Sequence, residues 1–160
     1  MNMKQLVPME VGICCQDLDA LKRFYVEELG LTEINIIDVP AEKAGDTGLT
    51  VGAYRVARLQ APFGERIKLL QPETTPAAPT HTGTILERRG NAYLTFIVDD
   101  LAAMLAKLKK LGLPLLSGDE LVEVRPGTFL IFLRDPEGNI LEFVQYADIQ
   151  AYRPDVSQES

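Results

Sequence analysis

Residues 10–20, EVGICCQDLDA, return 83 positions later as residues 93–103, YLTFIVDDLAA. In both stretches an alternating apolar strand runs into an Asp-Leu pair that can open a helix. A second echo closes each copy, because residues 66–71, RIKLLQ, match residues 140–145, ILEFVQ. The chain therefore contains one structural unit written twice.

The first copy, residues 1–72, is predicted to be a βαβββ module. Asp17 can cap its helix and Gly30 can end it. Residues 40–48 carry Gly and Lys and are predicted to form a loop. We expect a strand at residues 9–15, a helix at 18–29, and further strands at 32–38, 50–60 and 65–71.

The second copy, residues 91–147, repeats this order. Residues 135–139, DPEGN, predict a tight turn between its last two strands. Residues 73–90 are rich in Pro and Thr and are interpreted as a linker, and residues 148–160 as a loose polar tail. The expected elements are a strand at 92–98, a helix at 101–111, and strands at 114–124, 128–134 and 139–146.

The composition favours a globular protein that binds a small molecule. The 160 residues are 46% hydrophobic, and the net charge of −7 argues against a nucleic-acid partner. No apolar run is long enough to cross a membrane, and the first ten residues lack a signal-peptide core, so we expect a cytoplasmic protein. Cys14 and Cys15 are adjacent on a strand and are interpreted as reduced core residues, with a reactive thiol at Cys14 as the alternative.

Strand alternation separates a helix-facing side from an open side. The helix-facing positions are apolar, and they are expected to pack under the two helices: Val11, Ile13, Cys15, Ile67, Leu69, Leu94, Phe96, Val98, Leu141 and Phe143. The open side mixes charged, small and apolar residues: Glu10, Gly12, Cys14, Lys68, Leu70, Tyr93, Thr95, Ile97, Glu142 and Val144. A partly polar sheet face of this kind is typical of a cleft wall.

Several motifs together resemble the vicinal oxygen chelate superfamily, which includes glyoxalase I, methylmalonyl-CoA epimerase, extradiol dioxygenases, fosfomycin-modifying enzymes and bleomycin-binding proteins. The motifs are Asp17-Leu18, Phe24-Tyr25, Leu29-Gly30-Leu31 and residues 134–143, RDPEGNILEF. The resemblance implies an α+β fold in which two tandem βαβββ modules form a concave mixed sheet around a cavity. It also implies a homodimer.

Family members that use a metal hold it with His, Glu or Gln on the first and last strands of each module. The resemblance places Glu10, Lys68, Tyr93 and Glu142 in these four slots. A protonated lysine repels a metal, so we expect no metal cofactor. If a metal binds at all, Glu10 and Glu142 with waters would suit Mg²⁺ or Mn²⁺, but only if Lys68 swings away. The only histidine, His81, lies in the linker, which argues against an extradiol dioxygenase.

Without a metal, we hypothesise that the Lys68 ammonium takes its place and bridges Glu10 and Glu142, with Tyr93 hydrogen-bonding at the edge. Removing the lysine would then strand two acids and cost about 3–5 kcal/mol. Four further residues are candidates for substrate binding: Arg58, Arg134, Cys14 and Thr95.

Three functions remain open, and the sequence does not decide whether the protein is a catalyst. The first is a glyoxalase-like enzyme of lyase or isomerase type, in which Glu142 moves a proton at a carbon beside a carbonyl. Lys68 or Tyr93 would stabilise the enolate. The alternative is a metal-free protein that binds a small molecule or drug, like the bleomycin-resistance relatives. A domain that has lost its chemistry and serves assembly or regulation is a third possibility.

Overall fold

The computed structural model describes residues 1–80 and 83–156. The chain divides into two compact units, Met1–Thr80 and His81–Ser160. Each unit contains a four-stranded mixed sheet and a helix that follows its first strand. The predicted α+β fold of duplicated βαβββ modules is therefore confirmed. In the two described ranges, no helix is long and apolar enough to cross a membrane.

In the first unit, the strand order is β1-β4-β3-β2. Strand β1 pairs with β4 in parallel, and the other neighbours are antiparallel. The helices and strands of the first unit are β1 (Glu10–Cys14), α1 (Leu18–Arg23), β2 (Thr32–Val39), α2 (Ala41–Asp46), β3 (Tyr54–Gln60) and β4 (Arg66–Pro72).

The second unit repeats this arrangement with the order β5-β8-β7-β6, and β5 pairs with β8 in parallel. A short 3₁₀ turn at Ile85–Glu87 precedes the sheet. The elements are β5 (Tyr93–Ile97), α3 (Leu101–Lys110), β6 (Val122–Arg125), β7 (Thr128–Arg134), β8 (Ile140–Tyr146) and α4 (Ile149–Tyr152).

The core of each unit lies where the predicted apolar face meets the helix. Leu69 and Leu141, on the last strand of each sheet, are both fully buried. Burying a leucine side chain stabilises a fold by about 1.5–3 kcal/mol, so these faces contribute much of the stability. The buried helix residues are Leu18 and Leu21 in α1 and Leu101, Leu105 and Leu108 in α3. Cys15 is also buried, whereas Cys14 is exposed on the open side, so its assignment to the core is wrong.

The two helices begin with the same pair of contacts. Asp17 accepts a hydrogen bond from the Ala20 amide at 2.9 Å, and Asp100 accepts one from the Ala103 amide at 2.9 Å. A glutamine of the last strand accepts from the first helical amide. In the first unit, Gln71 Oε1 accepts from the Leu18 amide at 2.9 Å. In the second unit, Gln145 Oε1 accepts from the Leu101 amide at 2.9 Å. Both helices are thereby tied to the strand that completes their own sheet.

The first helix departs from the predicted uniform α-helix over residues 18–29. After Arg23 it widens into a π-helical turn at Phe24–Glu28, where the Leu29 amide donates to the Phe24 carbonyl at 3.2 Å. In a wider turn, consecutive side chains lie nearer to one face. Phe24 and Tyr25 are accordingly both buried, with their rings edge to face at 5.2 Å.

Two further predictions of local structure are wrong. The predicted loop at residues 40–48 contains α2, which starts after the extended Pro40 and buries Ala44. Proline suits the start of a helix, and alanine favours its interior. The predicted strand at residues 114–124 is reduced to a bridge at Leu115 and to the short β6, because the chain leaves the extended conformation between them at Gly118, whose φ is 88°.

The tail is also more ordered than predicted. Asp148 caps α4 by accepting from the Ala151 amide at 3.0 Å, and the Tyr152 ring stacks on Tyr146 at 4.0 Å. Burial and the hydrogen bond with Tyr152 raise the pKa of Tyr146 above its usual 10.0. The predicted looseness of residues 157–160 lies outside the described residues.

Candidate functional site

In the first unit, Glu10 lies beside two cations. Its Oε2 atom is 3.9 Å from Lys68 Nζ, and its Oε1 atom is 3.7 Å from Arg66 Nη1. About a third of each side chain is exposed, with values of 31%, 34% and 33% for Glu10, Lys68 and Arg66. Lys68 thus sits next to Glu10, as the bridging hypothesis requires for one of its two acids. Arg66 gives Glu10 a second partner.

Arg58 extends this group of charges across the sheet. It lies opposite Lys68 in the β3–β4 register, so both side chains leave the same face. Its Nη1 atom donates to Asn35 Oδ1 at 3.1 Å. On the other flank of Lys68 the register partner is Gly12, which has no side chain. Cys14 follows on the same face and is the register partner of Leu70.

In the second unit, the Glu142 carboxylate is held by its neighbour on β5. The Thr95 hydroxyl donates to Glu142 Oε2 at 2.6 Å, a length typical of a strong hydrogen bond to a carboxylate. Thr95 is also the register partner of Glu142 on the parallel strand. Thr95, a predicted substrate-binding residue, therefore fixes the orientation of Glu142, the predicted general base.

A cavity of about 460 Å³ lies in the second unit, lined in part by Tyr93 and Arg134. The Tyr93 and Phe132 rings meet edge to face at 5.1 Å in its wall. Phe132 is the register partner of Glu142 on β7, so the acid and this wall share one face of the sheet. The other lining residues are Gly83, Thr84, Ile85, Leu86, Leu116 and Ser117.

The predicted turn at residues 135–139 holds this edge of the unit together. Asp135 is 2% exposed, and its Oδ1 atom accepts from the Glu137 and Asn139 amides, both at 2.9 Å. Its Oδ2 atom accepts from Asn139 Nδ2 at 2.8 Å. Arg134 is fastened across the turn, because its Nη1 atom donates to the Gly138 carbonyl at 3.0 Å. The turn therefore sets where Arg134 enters the cavity wall.

Sequence reasoning missed three residues of these two sites. Arg66 lies two positions before Lys68 on β4, and strand alternation alone would have placed it on the same face. Phe132 could be found in the same way, by pairing β7 with β8. Ser117 had no signal, because it belongs to the irregular segment that replaces the predicted strand at residues 114–124. His81 lies outside the described residues.

The profile of one protein family matches most of this chain. The Glyoxalase/Bleomycin resistance protein/Dioxygenase superfamily matches residues 8–143. The chain belongs to this superfamily. Among curated proteins, none matches the sequence.

Solved structures of the superfamily share the fold. A glyoxalase family protein from Bacillus cereus is 27% identical with a TM-score of 0.75, and the match covers 92% of this chain and 99% of that one. The trypanothione-dependent glyoxalase I of Leishmania major is 20% identical with a TM-score of 0.66, covering 96% and 94%. A glyoxalase I mutant from Zea mays is 23% identical with a TM-score of 0.64, covering 89% and 46%. At these last two identities, the likeness concerns the fold alone.

Within each unit, the residues at the four slots are poor ligands for a metal ion: Glu10 and Lys68 in the first unit, Tyr93 and Glu142 in the second. In the first unit, the Glu10 carboxylate faces two cations, and a divalent ion there would meet their repulsion. In the second, Tyr93 supplies a phenol where those relatives have His, Glu or Gln, so Glu142 is the one carboxylate of the two slots. Within each unit, as far as it is described, no three His, Cys, Asp or Glu side chains are grouped as metal ligands.

Proposed function

We propose that this protein is a glyoxalase-like enzyme of the lyase or isomerase type, which transfers a proton at a carbon beside a carbonyl group. One observation supports this proposal above the others. The Glu142 carboxylate is oriented by Thr95 and shares a sheet face with the wall of a cavity large enough for a small molecule. A positioned carboxylate beside a ligand cavity is what a general base requires.

The chemistry follows from the atoms of the second unit. The Thr95 hydroxyl occupies Glu142 Oε2, so we assign the proton transfer to Oε1. This oxygen removes the proton from the substrate carbon, and the electron pair moves into the carbonyl to form an enolate. The Tyr93 hydroxyl donates a hydrogen bond to the enolate oxygen. Where the deprotonated carbon carries a hydroxyl, Glu142 returns its proton to the former carbonyl carbon while the hydroxyl proton passes to the enolate oxygen, which completes an isomerisation. In a lyase reaction the enolate collapses instead, and its electron pair breaks the bond to a leaving group on the carbon β to the carbonyl.

We propose that this reaction proceeds without a divalent metal, because a lysine and a tyrosine occupy two of the four slots. The assignment of Glu10 and Lys68 to the same chemistry stays a prediction from the sequence. Arg134, in the cavity wall, is the proposed contact for a negative group of the substrate, since a guanidinium suits carboxylate or phosphate.

Metal-free binding without catalysis is the second candidate. The Tyr93–Phe132 pair and the aliphatic side chains of the cavity wall could enclose an apolar ligand. A drug-binding protein usually offers more aromatic surface than this, and the chain has no Trp and is only 7% aromatic. Native mass spectrometry of the purified protein would detect a retained ligand of this kind.

Proton exchange tests the catalytic proposal directly. Purified protein is incubated with hydroxyacetone or pyruvate in D₂O, and deuterium at the carbon beside the carbonyl is followed by NMR. We expect Glu142→Gln to abolish enzyme-dependent exchange, and Thr95→Val to slow it by about tenfold through loss of one hydrogen bond to a charged group. Glu120→Gln, a charge-matched control at an exposed position, should retain full exchange. Exchange that survives Glu142→Gln would refute the assignment of the base.

A further inference from the structure

The open face of the first unit's sheet carries an excess of positive charge. Strand register places Arg58, Arg66 and Lys68 on this face, and we call these three residues the cationic patch. Glu10 is the one carboxylate that strands β1–β4 contribute to the same face. Among the strand residues of this face the cations thus outnumber the carboxylates by two, on a chain whose net charge is −7.

The contacts of the cationic patch leave its charges incompletely satisfied. The Lys68–Glu10 and Arg66–Glu10 separations of 3.9 and 3.7 Å exceed the roughly 2.7–2.9 Å of a good charged hydrogen bond. One carboxylate is thus shared at long range by two cations. The two arginines make their hydrogen bonds to neutral amides rather than to an acid: Arg58 Nη1 donates to Asn35 Oδ1 at 3.1 Å, and Arg66 Nε donates to Gln60 Oε1 at 2.9 Å.

The cations also repel one another. Arg58 stands directly opposite Lys68 across β3 and β4, and like charges in that position destabilise a sheet. Arg66 is two residues from Lys68 on the same strand, which places the two Cα atoms roughly 7 Å apart. An anion bound among the three would turn this repulsion into attraction.

We propose that the cationic patch binds the carboxylate or phosphate group of a small-molecule ligand. The guanidinium groups of Arg58 and Arg66 offer forked donors, and the Lys68 ammonium between them supplies a third positive charge. This site lies wholly in the first unit and concerns binding alone. It does not depend on the reaction proposed for Glu142.

Anion binding to the full-length protein tests the proposal. Inorganic phosphate and malonate are titrated separately at low ionic strength, by calorimetry and by the shift of the thermal unfolding midpoint. We expect saturable binding of at least one of them and a midpoint that rises with its concentration. The anion that binds more tightly identifies the ligand group as phosphate or carboxylate.

Substitutions locate the binding. Arg58→Gln and Lys68→Gln should each weaken binding by about tenfold or more, the loss expected for a hydrogen bond to a charged group. The matched control is Arg55→Gln on the same strand. Arg55 points to the opposite face and pairs with Asp19 at 3.6 Å and Asp38 at 3.7 Å, so this variant should bind like the parent.

Two results would overturn the proposal: neither anion binds saturably, or Arg55→Gln loses as much affinity as Arg58→Gln. Misfolding is a small risk, because Arg58→Gln removes a like-charge contact, and its unliganded midpoint should equal or exceed that of the parent. Binding is measured without turnover. A negative exchange assay for Glu142 would therefore leave a positive anion titration standing.

Discussion

At the scale of single residues, Asp135 has the clearest structural role. It is a buried carboxylate that accepts three hydrogen bonds within its own turn. We expect Asp135→Ala to lower the free energy of unfolding by about 2–4 kcal/mol, because buried donors lose a charged acceptor. Urea denaturation measures this change. Asp119→Ala, at an exposed position, should shift stability by less than about 0.5 kcal/mol, and equal losses would contradict the explanation.

The loss of stability expected on removing Lys68 is smaller than the sequence suggested. Glu10 keeps Arg66 as a partner when the lysine is removed, and the Lys68 side chain is 34% exposed. Exposed ion pairs contribute little, so Lys68→Met should change the free energy of unfolding by less than about 1 kcal/mol rather than about 3–5. Chemical denaturation of this variant distinguishes the two values, and a loss above 3 kcal/mol would restore the model of two stranded acids.

At the scale of secondary-structure elements, the glutamine contacts to the helix starts can be tested as a pair. Gln71→Ala and Gln145→Ala each remove the acceptor for the first amide of α1 or α3. Each should cost about 1–2 kcal/mol, the range for a lost capping interaction. Thermal unfolding measures both, with Gln150→Ala on the exposed side of α4 as control. A loss in one unit but not in the other would contradict an equivalent role.

The elements that the sequence predicted well are those with a strict period. The alternation in β1, β4, β5 and β8 separated the two sheet faces, although the apolar positions of β1 and β5 are only half-buried and β8 is buried on both faces. The short α2 has no such period, and its signal is only Ala44 packing inward after Pro40. The widened turn after Arg23 was not predictable either, because it depends on the packing of two adjacent aromatic rings.

At the scale of the whole molecule, the duplication made the candidate site partly predictable. Equivalent positions in the two copies singled out Glu10, Lys68, Tyr93 and Glu142 before any coordinates. Their partners were harder to predict, because a hydrogen bond such as Thr95 to Glu142 depends on strand pairing between residues 47 positions apart. Arg66 could be placed on the face of Lys68 by strand alternation, but its contact with Glu10 depends on the register of β1 against β4.

The division into two units predicts where a protease cuts first. Residues 73–90 join the two sheets, and their described part contains one 3₁₀ turn and no strand. Limited trypsin digestion should cleave after Arg88 or Arg89, which are exposed, before it cleaves at Lys107, Lys109 or Lys110 in α3. Mass spectrometry of early fragments checks this order. Early cleavage within α3 would contradict the proposed linker.

The two copies share the glutamine contact that ties each helix to its sheet, and they differ at the positions of the candidate site. Gln71 and Gln145 play one part, whereas Lys68 and Glu142, three positions earlier, carry opposite charges at matching sites. The residues that stabilise each unit and the residues of the candidate site thus lie on opposite faces of the same strands. Open-face side chains of one copy can therefore be exchanged for those of the other without removing the contacts that tie each helix to its sheet.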